Sequence, residues 1–170
     1  MDLLLGHLKM VRPLLLQYHT RPITCVRHNK DGDLFLSASN DGKVCLIRGD
    51  TGDRVGVYEG HEGAVKSCDI NMESTLVVSG GADSQICFYN AENGEVVYKF
   101  DHGGIIQCVE FNQNPAYNDR IVTCANKFKD TPNCIQVHRF GFDENMDGWN
   151  EKLVQWDPDT DLPQKATKVR

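Results

Sequence analysis

Two sets of His, Ser and Asp are the side chains of this sequence that could do chemistry. They are His19, Ser37 and Asp41, and His61, Ser79 and Asp83. A serine beside a histidine that an aspartate orients is the arrangement of a serine hydrolase, in which the histidine takes the proton of the hydroxyl. The second set repeats the first 42 residues further along the chain. Because one active site needs only one copy, the duplication favours a structural role over catalysis.

The same offset extends well beyond these side chains. Residues 36–42 recur as 78–84, Cys45 recurs as Cys87 and Gly52 recurs as Gly94. Each unit contains four short runs rich in β-branched residues, separated by turn signals such as the Asp-Gly pair at 41–42. Four strands in about 40 to 45 residues form one blade of a β-propeller. The sequence therefore predicts an all-β fold.

The repeat divides the chain as follows: 1–9 an N-terminal extension, 10–17 the closing strand of the last blade, 18–59 blade 1, 60–100 blade 2, 101–165 blade 3 with an acidic insertion at 141–164, and 166–170 the start of a further blade. A seven-bladed ring needs roughly 300 residues. We therefore expect about three four-stranded blades of a seven-bladed ring. The rest would be lost from a truncated gene model or a partial chain, or supplied by another polypeptide.

The third unit is aligned by Asp101, four residues before Ile105, which we match to Val65. On this alignment Cys108 matches Cys68, and Cys134 joins Cys45 and Cys87 at one third-strand position. The seven cysteines include no CxxC pair and follow no signal peptide. We therefore predict reduced, packed thiols in a cytosolic or nuclear setting. A reactive thiol needs cationic neighbours, and the sequence gives no sign of them.

These residue types resemble the WD-repeat propeller family, with Gly60-His61 and Asp83 as the clearest marks. In that family a His, a Ser or Thr, an Asp and a Trp form a hydrogen-bond chain within each blade. The resemblance implies a structural blade network of these residues: His19, Ser37, Asp41, His61, Ser79, Asp83 and Tyr89. Ile47 stands at the fourth place in blade 1 and has no polar group, so that network is predicted to be incomplete. The single Trp-Asp dipeptide, at 156–157, is assigned to the outer strand of blade 3.

Within this family the sequence resembles subunit i of eukaryotic translation initiation factor 3, most densely over residues 10–100. The matching segments are 10–17, 19–24, 29–34 and 52–65. The resemblance implies a cytoplasmic, non-catalytic scaffold on the small (40S) ribosomal subunit that binds subunits b and g of the factor. The general repeat marks also fit an alternative, a WD-repeat signalling adaptor associated with kinase receptors.

Charge and composition exclude several other functions. The chain has 18 basic and 24 acidic residues, a net charge of -6, and no cluster of four basic residues. Such a chain is a poor match for a phosphate backbone, so we expect no direct nucleic-acid binding. No apolar run approaches the ~20 residues of a membrane span. His28, His102 and His138 lack the spacing of metal ligands and are interpreted as lone surface or turn side chains, and no cofactor or small-molecule substrate is expected.

Overall fold

The computed structural model describes residues 13–126 and 133–141, together with the backbone of 154–155. The strands are β1 (Ile23–His28), β2 (Leu34–Ser39), β3 (Lys43–Arg48), β4 (Arg54–Glu59), β5 (Val65–Ile70), β6 (Leu76–Gly81), β7 (Gln85–Asn90), β8 (Val96–Asp101), β9 (Ile105–Phe111), β10 (Arg120–Asn126), β11 (Cys134–Arg139) and β12 (Val154–Gln155). A short 3-10 helix spans Pro115–Tyr117. Within the described residues no helix is long and apolar enough to cross a membrane.

The strands form three antiparallel four-stranded sheets, in the orders β1-β2-β3-β4, β5-β6-β7-β8 and β9-β10-β11-β12. In the first sheet Ser37 lies opposite Val26 and Cys45. In the second sheet Ser79 lies opposite Cys68 and Cys87, at the same register. The all-β prediction and the propeller blades are thereby confirmed, and three sheets are consistent with part of a ring.

The two clusters of the apolar core lie between neighbouring blades. Leu36 and Val44 of blade 1 share one cluster with Val65 and Tyr89 of blade 2. The second cluster, between blades 2 and 3, comprises Leu76, Val78, Ile86, Phe88, Ile106, Val109, Phe111, Ile121 and Ala125. Each fully buried side chain of this size contributes about 1.5 to 3 kcal/mol to folding. Blade-to-blade packing is therefore the main apolar stabilisation.

Polar contacts between β1, β5 and β9, here called the inner strands, join the blades as well. The Thr24 hydroxyl donates to the Val65 carbonyl at 2.7 Å. The Val109 amide donates to Ser67 Oγ at 3.2 Å, and the Phe111 amide donates to Asp69 Oδ2 at 2.7 Å. Backbone groups of the inner strands that face the next blade are thus satisfied by its side chains.

The register corrects the sequence alignment of the third unit. Thr123 on β10 lies opposite Val109 and Gln136, as Ser79 lies opposite Cys68 and Cys87. The places of Cys68 and Cys87 are therefore taken by Val109 and Gln136. The matches to Cys108 and Cys134 were wrong. The connection before β9 is one residue longer than the alignment assumed, and the turn before β11 is expanded.

Burial separates the cysteines into two groups. Cys45, Cys68 and Cys87 are buried, as the packing interpretation expects. The other four, Cys25, Cys108, Cys124 and Cys134, are half-buried, and all seven thiols are free.

Several sequence predictions concern the ends of the chain. Residues 13–17 pair with no described strand, and Leu14 and Leu16 lie against Gly52. Their role as a closing strand stays a prediction. β12 lies where the outer strand of blade 3 was predicted. Residues 1–12, the dipeptide at 156–157, nearly all of 141–164 and 166–170 lie outside the described residues.

Candidate functional site

Blade 2 brings together all four of its predicted network residues. His61 precedes β5, Ser79 lies on β6, Asp83 lies in the turn after β6, and Tyr89 lies on β7. His61 Nδ1 lies 3.0 Å from Asp83 Oδ1, and its Nε2 lies 2.8 Å from Ser79 Oγ. The Ser79 and Tyr89 hydroxyl oxygens are 3.3 Å apart. A continuous polar chain thus ties the connection before β5 to β6 and β7.

Burial sets the electrostatics of this network. The His61 side chain is 0% exposed and that of Asp83 is 11% exposed. Desolvation lowers the pKa of His61, although the nearby Asp83 carboxylate opposes that effect. Burial acts to raise the pKa of Asp83, but the His61 contact and the Glu62 and Gln85 amides outweigh it and lower this pKa. A neutral His61 donates from Nδ1 to a charged Asp83 and accepts the Ser79 hydroxyl proton at Nε2.

The local backbone leaves little room around this contact. A Cβ at position 81 would lie 2.5 Å from Asp83 Oδ1 and 2.7 Å from His61 Nδ1, so only glycine fits there. The turn also holds Ser84 at a φ of 65°, where blade 1 has Gly42 at 85°. A non-glycine residue in the left-handed region costs about 1 kcal/mol or more. The network and the turn are therefore positioned together.

Blade 1 repeats the first three members of the network. His19 Nδ1 lies 3.0 Å from Asp41 Oδ2, and His19 Nε2 lies 2.8 Å from Ser37 Oγ. The Thr20 and Lys43 amides also donate to the Asp41 carboxylate. Ile47 occupies the fourth place, opposite Phe35, and is buried. The polar chain of blade 1 therefore ends at the Ser37 hydroxyl.

Blade 3 has a different network, which the sequence interpretation missed. His102 Nε2 lies 2.8 Å from Thr123 Oγ1, and Thr123 Oγ1 lies 3.1 Å from His138 Nε2. His138 lies opposite Ile121, at the register position of Tyr89. His102 and His138 are 8% and 5% exposed, so the interpretation of both as lone surface or turn histidines is wrong. His28 is exposed at the end of β1, as that interpretation expects.

One misaligned residue concealed this network. Aligning Asp101 with His61 placed His102 one position too late, whereas an offset of 41 residues would have matched the two histidines. His102 Nδ1 is buried and has no partner among the described residues. Desolvation lowers the pKa of His138 to about 4, and the neighbouring His102 lowers it further in the same direction. Both imidazoles are therefore held neutral at pH 7.

The donor and acceptor order in blades 1 and 2 is that of a Ser-His-Asp triad, but its setting differs. The Ser79 and Ser37 residues are 0% and 3% exposed, so neither hydroxyl can reach a substrate while the blades are closed. A nucleophile must lie within reach of the atom that it attacks. Among the described residues no group of three or more His, Cys, Asp or Glu side chains is arranged to hold a metal ion.

Two open cavities lie at opposite ends of the blades. A cavity of about 670 Å³ lies beside the turns at 40–42 and 60–64, where Lys66 Nζ donates to Asn40 Oδ1 at 3.3 Å. A cavity of about 380 Å³ lies at the other end of the inner strands and is lined by Arg27, Asp69 and Glu110. Arg27 Nη2 lies 2.7 Å from Glu110 Oε1. Desolvation raises the pKa of Asp69 to about 6, against the amide bonds that it accepts.

Comparison with known proteins agrees with the sheet pattern. A family model described as "WD domain, G-beta repeat" matches residues 12–48 and 52–90, which contain the strands of blade 1 and most of those of blade 2. The β-propeller domain of Cps50 (Swd1) from Myceliophteria thermophila has a similar structure, with a TM-score of 0.60 over 71% of this chain and 36% of that chain. At 17% identity this likeness shows the fold alone.

Sequence relatives narrow the family. Eukaryotic translation initiation factor 3 subunit I of Schizosaccharomyces pombe is 41% identical over 104 residues, 61% of this chain and 32% of that protein. The chain is a WD-repeat protein that resembles this subunit. The Aspergillus terreus subunit I is 37% identical over 136 residues, 80% of this chain and 40% of that protein. The WD-repeat chain thus spans about a third of the length of the curated relatives that it matches.

Proposed function

We propose that this WD-repeat chain is a non-catalytic scaffold of the translation initiation factor 3 complex, which it would join in the cytoplasm on the small ribosomal subunit. The observation that carries the proposal is its 41% identity over 104 residues to a protein named as subunit I of that factor. The Sclerotinia sclerotiorum relative at 36% identity bears the same name. The similarity extends over blades 1 and 2, where the described structure is most complete.

The non-catalytic part of the proposal is supported by how the blades use their polar side chains. The His and Asp of each set in blades 1 and 2 contact each other at 3.0 Å, and each serine bonds the ring nitrogen on the other side. Blade 3 reaches a similar result with Thr123 between two histidines. Three versions of one buried arrangement at the same register position fit a device that holds strands together.

The partners of the proposal are subunits b and g of the factor, with the 40S ribosomal subunit contacted through them. They are carried over from the resemblance, and no described residue is assigned to binding either one. The net charge of -6 supports protein partners over a direct grip on ribosomal RNA, because phosphate binding needs clustered Lys and Arg. A strongly salt-dependent affinity for RNA would contradict this part.

Affinity purification from cytoplasmic extract tests the assignment. We expect the tagged full chain to recover subunits b and g, identified by mass spectrometry, above a tag-only control. An Asp83→Ala variant should recover less of both, because it breaks the blade 2 network. Asp50→Ala is the matched control, since Asp50 is an exposed turn residue that accepts only the neighbouring Thr51 amide among the described residues. Recovery of a kinase receptor complex without factor 3 subunits would overturn the proposal in favour of the signalling adaptor.

A further inference from the structure

The inner strands carry a set of small polar side chains at one level. Cys25, Ser67 and Cys108 lie opposite Ala38, Gly80 and Cys124, each one position after the Ser or Thr of its blade network. The three side chains therefore occupy equivalent places on the inner strands of blades 1, 2 and 3. Cys25 and Cys108 are half-buried and Ser67 is buried.

A second, charged level follows two residues along each inner strand: Arg27, Asp69 and Glu110. Side chains two residues apart on a strand lie on the same side of the sheet. Arg27 thus faces the same side as Cys25. The cationic neighbour that the sequence did not reveal is therefore present in the fold, and Asp69 and Glu110 are the acids beside it.

Cys25 also contacts the buried Cys68 of the next blade. Its Sγ lies 3.8 Å from the Cys68 carbonyl oxygen. The Cys68 thiol donates a hydrogen bond to the Cys25 sulfur, the Cys68 backbone and the Ser67 hydroxyl add to it, and Cys68 itself is 0% exposed. Together with Arg27 these groups would hold a thiolate in place at the seam between blades 1 and 2.

The acidities of the described thiols agree with this geometry. The hydrogen bond from Cys68 lowers the pKa of Cys25 to about 5 in spite of burial, with a further lowering from Arg27. The same bond raises the pKa of Cys68, the donor. Burial raises the pKa of Cys45 and Cys87, and burial together with Glu110 raises that of Cys108. Cys25 is the one described cysteine whose pKa is shifted downward.

We propose that Cys25 is a nucleophilic thiol and a modification site for hydroperoxides and soft carbon electrophiles, with Cys68 and Arg27 as positioning residues. With a hydroperoxide, the Cys25 sulfur attacks one peroxide oxygen. A sulfur–oxygen bond forms, the oxygen–oxygen bond breaks, and the second oxygen leaves as an alcohol or water after taking a proton from solvent. The sulfur is oxidised by two electrons to a sulfenic acid, and the peroxide is reduced.

The position of Cys25 gives such a modification a structural effect. Cys25 packs against the apolar cluster shared by blades 1 and 2. The adjacent Thr24 hydroxyl makes the 2.7 Å bond to Val65 that joins the two inner strands. An added oxygen or alkyl group at Cys25 would separate these strands. We therefore expect the modified chain to melt at a lower temperature than the reduced chain.

Alkylation of the reduced full chain by iodoacetamide, followed by peptide mass spectrometry, tests the proposal. A thiol of ordinary pKa near 8.5 slows roughly 80-fold between pH 8 and pH 6 because its thiolate fraction falls. We expect Cys25 to react first and to change less than twofold over that range. The Cys25→Ser variant should lose the fast reaction, and Cys124→Ser, a control at another half-buried thiol, should keep it.

Two further variants separate activation from mere exposure. Cys68→Ala removes the hydrogen-bond donor and should shift the pH midpoint of Cys25 alkylation upward, whereas Cys68→Ser keeps a donor and should shift it less. Arg27→Gln should also raise the midpoint, and it covers the case in which Cys68→Ala does not fold. An 80-fold dependence of Cys25 on pH, a fast reaction that persists in Cys25→Ser, or no labelling of Cys25 would overturn the proposal.

Discussion

Replacing Asp83 by Ala removes the acceptor at the centre of the blade 2 network. Its carboxylate accepts from His61 Nδ1 at 3.0 Å, from the Glu62 amide at 2.9 Å and from the Gln85 amide at 3.2 Å. Water can replace the carboxylate at the Glu62 amide, which is exposed, but it cannot reach the fully buried His61 ring. Hydrogen bonds to charged groups contribute about 1.5 to 3 kcal/mol, and a buried donor left unpaired costs about 1 to 3 kcal/mol. We expect Asp83→Ala to lower the free energy of unfolding by about 2 to 4 kcal/mol.

The matched variant in blade 1 is Asp41→Ala. Asp41 accepts from His19, from the Thr20 amide and from the Lys43 amide at 3.0 to 3.1 Å, so its local contacts are almost the same. The difference lies further along the chain of contacts, where blade 2 continues from Ser79 to Tyr89 and blade 1 stops at Ser37. We therefore expect Asp41→Ala to cost about 1 kcal/mol less, the typical contribution of one neutral hydrogen bond.

Urea unfolding followed by circular dichroism measures both changes on the full chain, with Asp50→Ala as the surface control. For a chain of this length 1 kcal/mol corresponds to about 2 to 4 °C in Tm, so Asp83→Ala should lower Tm by roughly 5 to 15 °C. The Asp83→Asn variant keeps an acceptor oxygen and should fall between the wild type and Asp83→Ala. Equal losses for Asp83→Ala and Asp41→Ala, or a loss below 1 kcal/mol at Asp83, would refute the reasoning.

Three further outcomes follow from individual side chains. Because His138 is neutral in the fold with a pKa of about 4, against about 6.5 when unfolded, stability is fully present above pH 6.5 and falls as pH drops toward 4, by on the order of 3 kcal/mol; a pH series of urea titrations should show this slope, and His138→Gln should flatten it. Ser84→Gly should raise Tm by a few degrees because it relieves a φ of 65°, whereas Ala at Ser84 should not. Tyr89→Phe should cost about 1 kcal/mol through the lost Ser79 contact, and an unchanged midpoint in urea would contradict that contact.

The 42-residue repeat made the first two blades accessible from sequence. Turn residues, β-rich runs and the His, Ser and Asp positions all recur at one offset, and the sheets place Ser37 and Ser79 at the same register. The fourth member could also be inferred, since Tyr89 carries a hydroxyl and Ile47 does not. Local signals that agree with one another were sufficient there.

The third blade could not be inferred in the same way. Its repeat is one residue longer before β9, and it replaces Ser by Thr123 and Tyr by His138, so pattern matching selected Asp101 instead of His102. Neither histidine has a polar sequence neighbour that would predict its burial. The Cys25 environment was also inaccessible, because Cys68 reaches it from another blade. Contacts across blades depend on packing, which an internal repeat does not specify.

Sedimentation of cytoplasmic extract through a sucrose gradient tests the proposed role in translation initiation most directly. The tagged full chain is followed across the gradient together with subunit b and the small ribosomal subunit. We expect a fraction of the chain to migrate with 40S particles, and depletion of subunit b to return it to the top of the gradient. A chain that stays at the top while subunit b migrates with 40S particles would contradict the scaffold assignment.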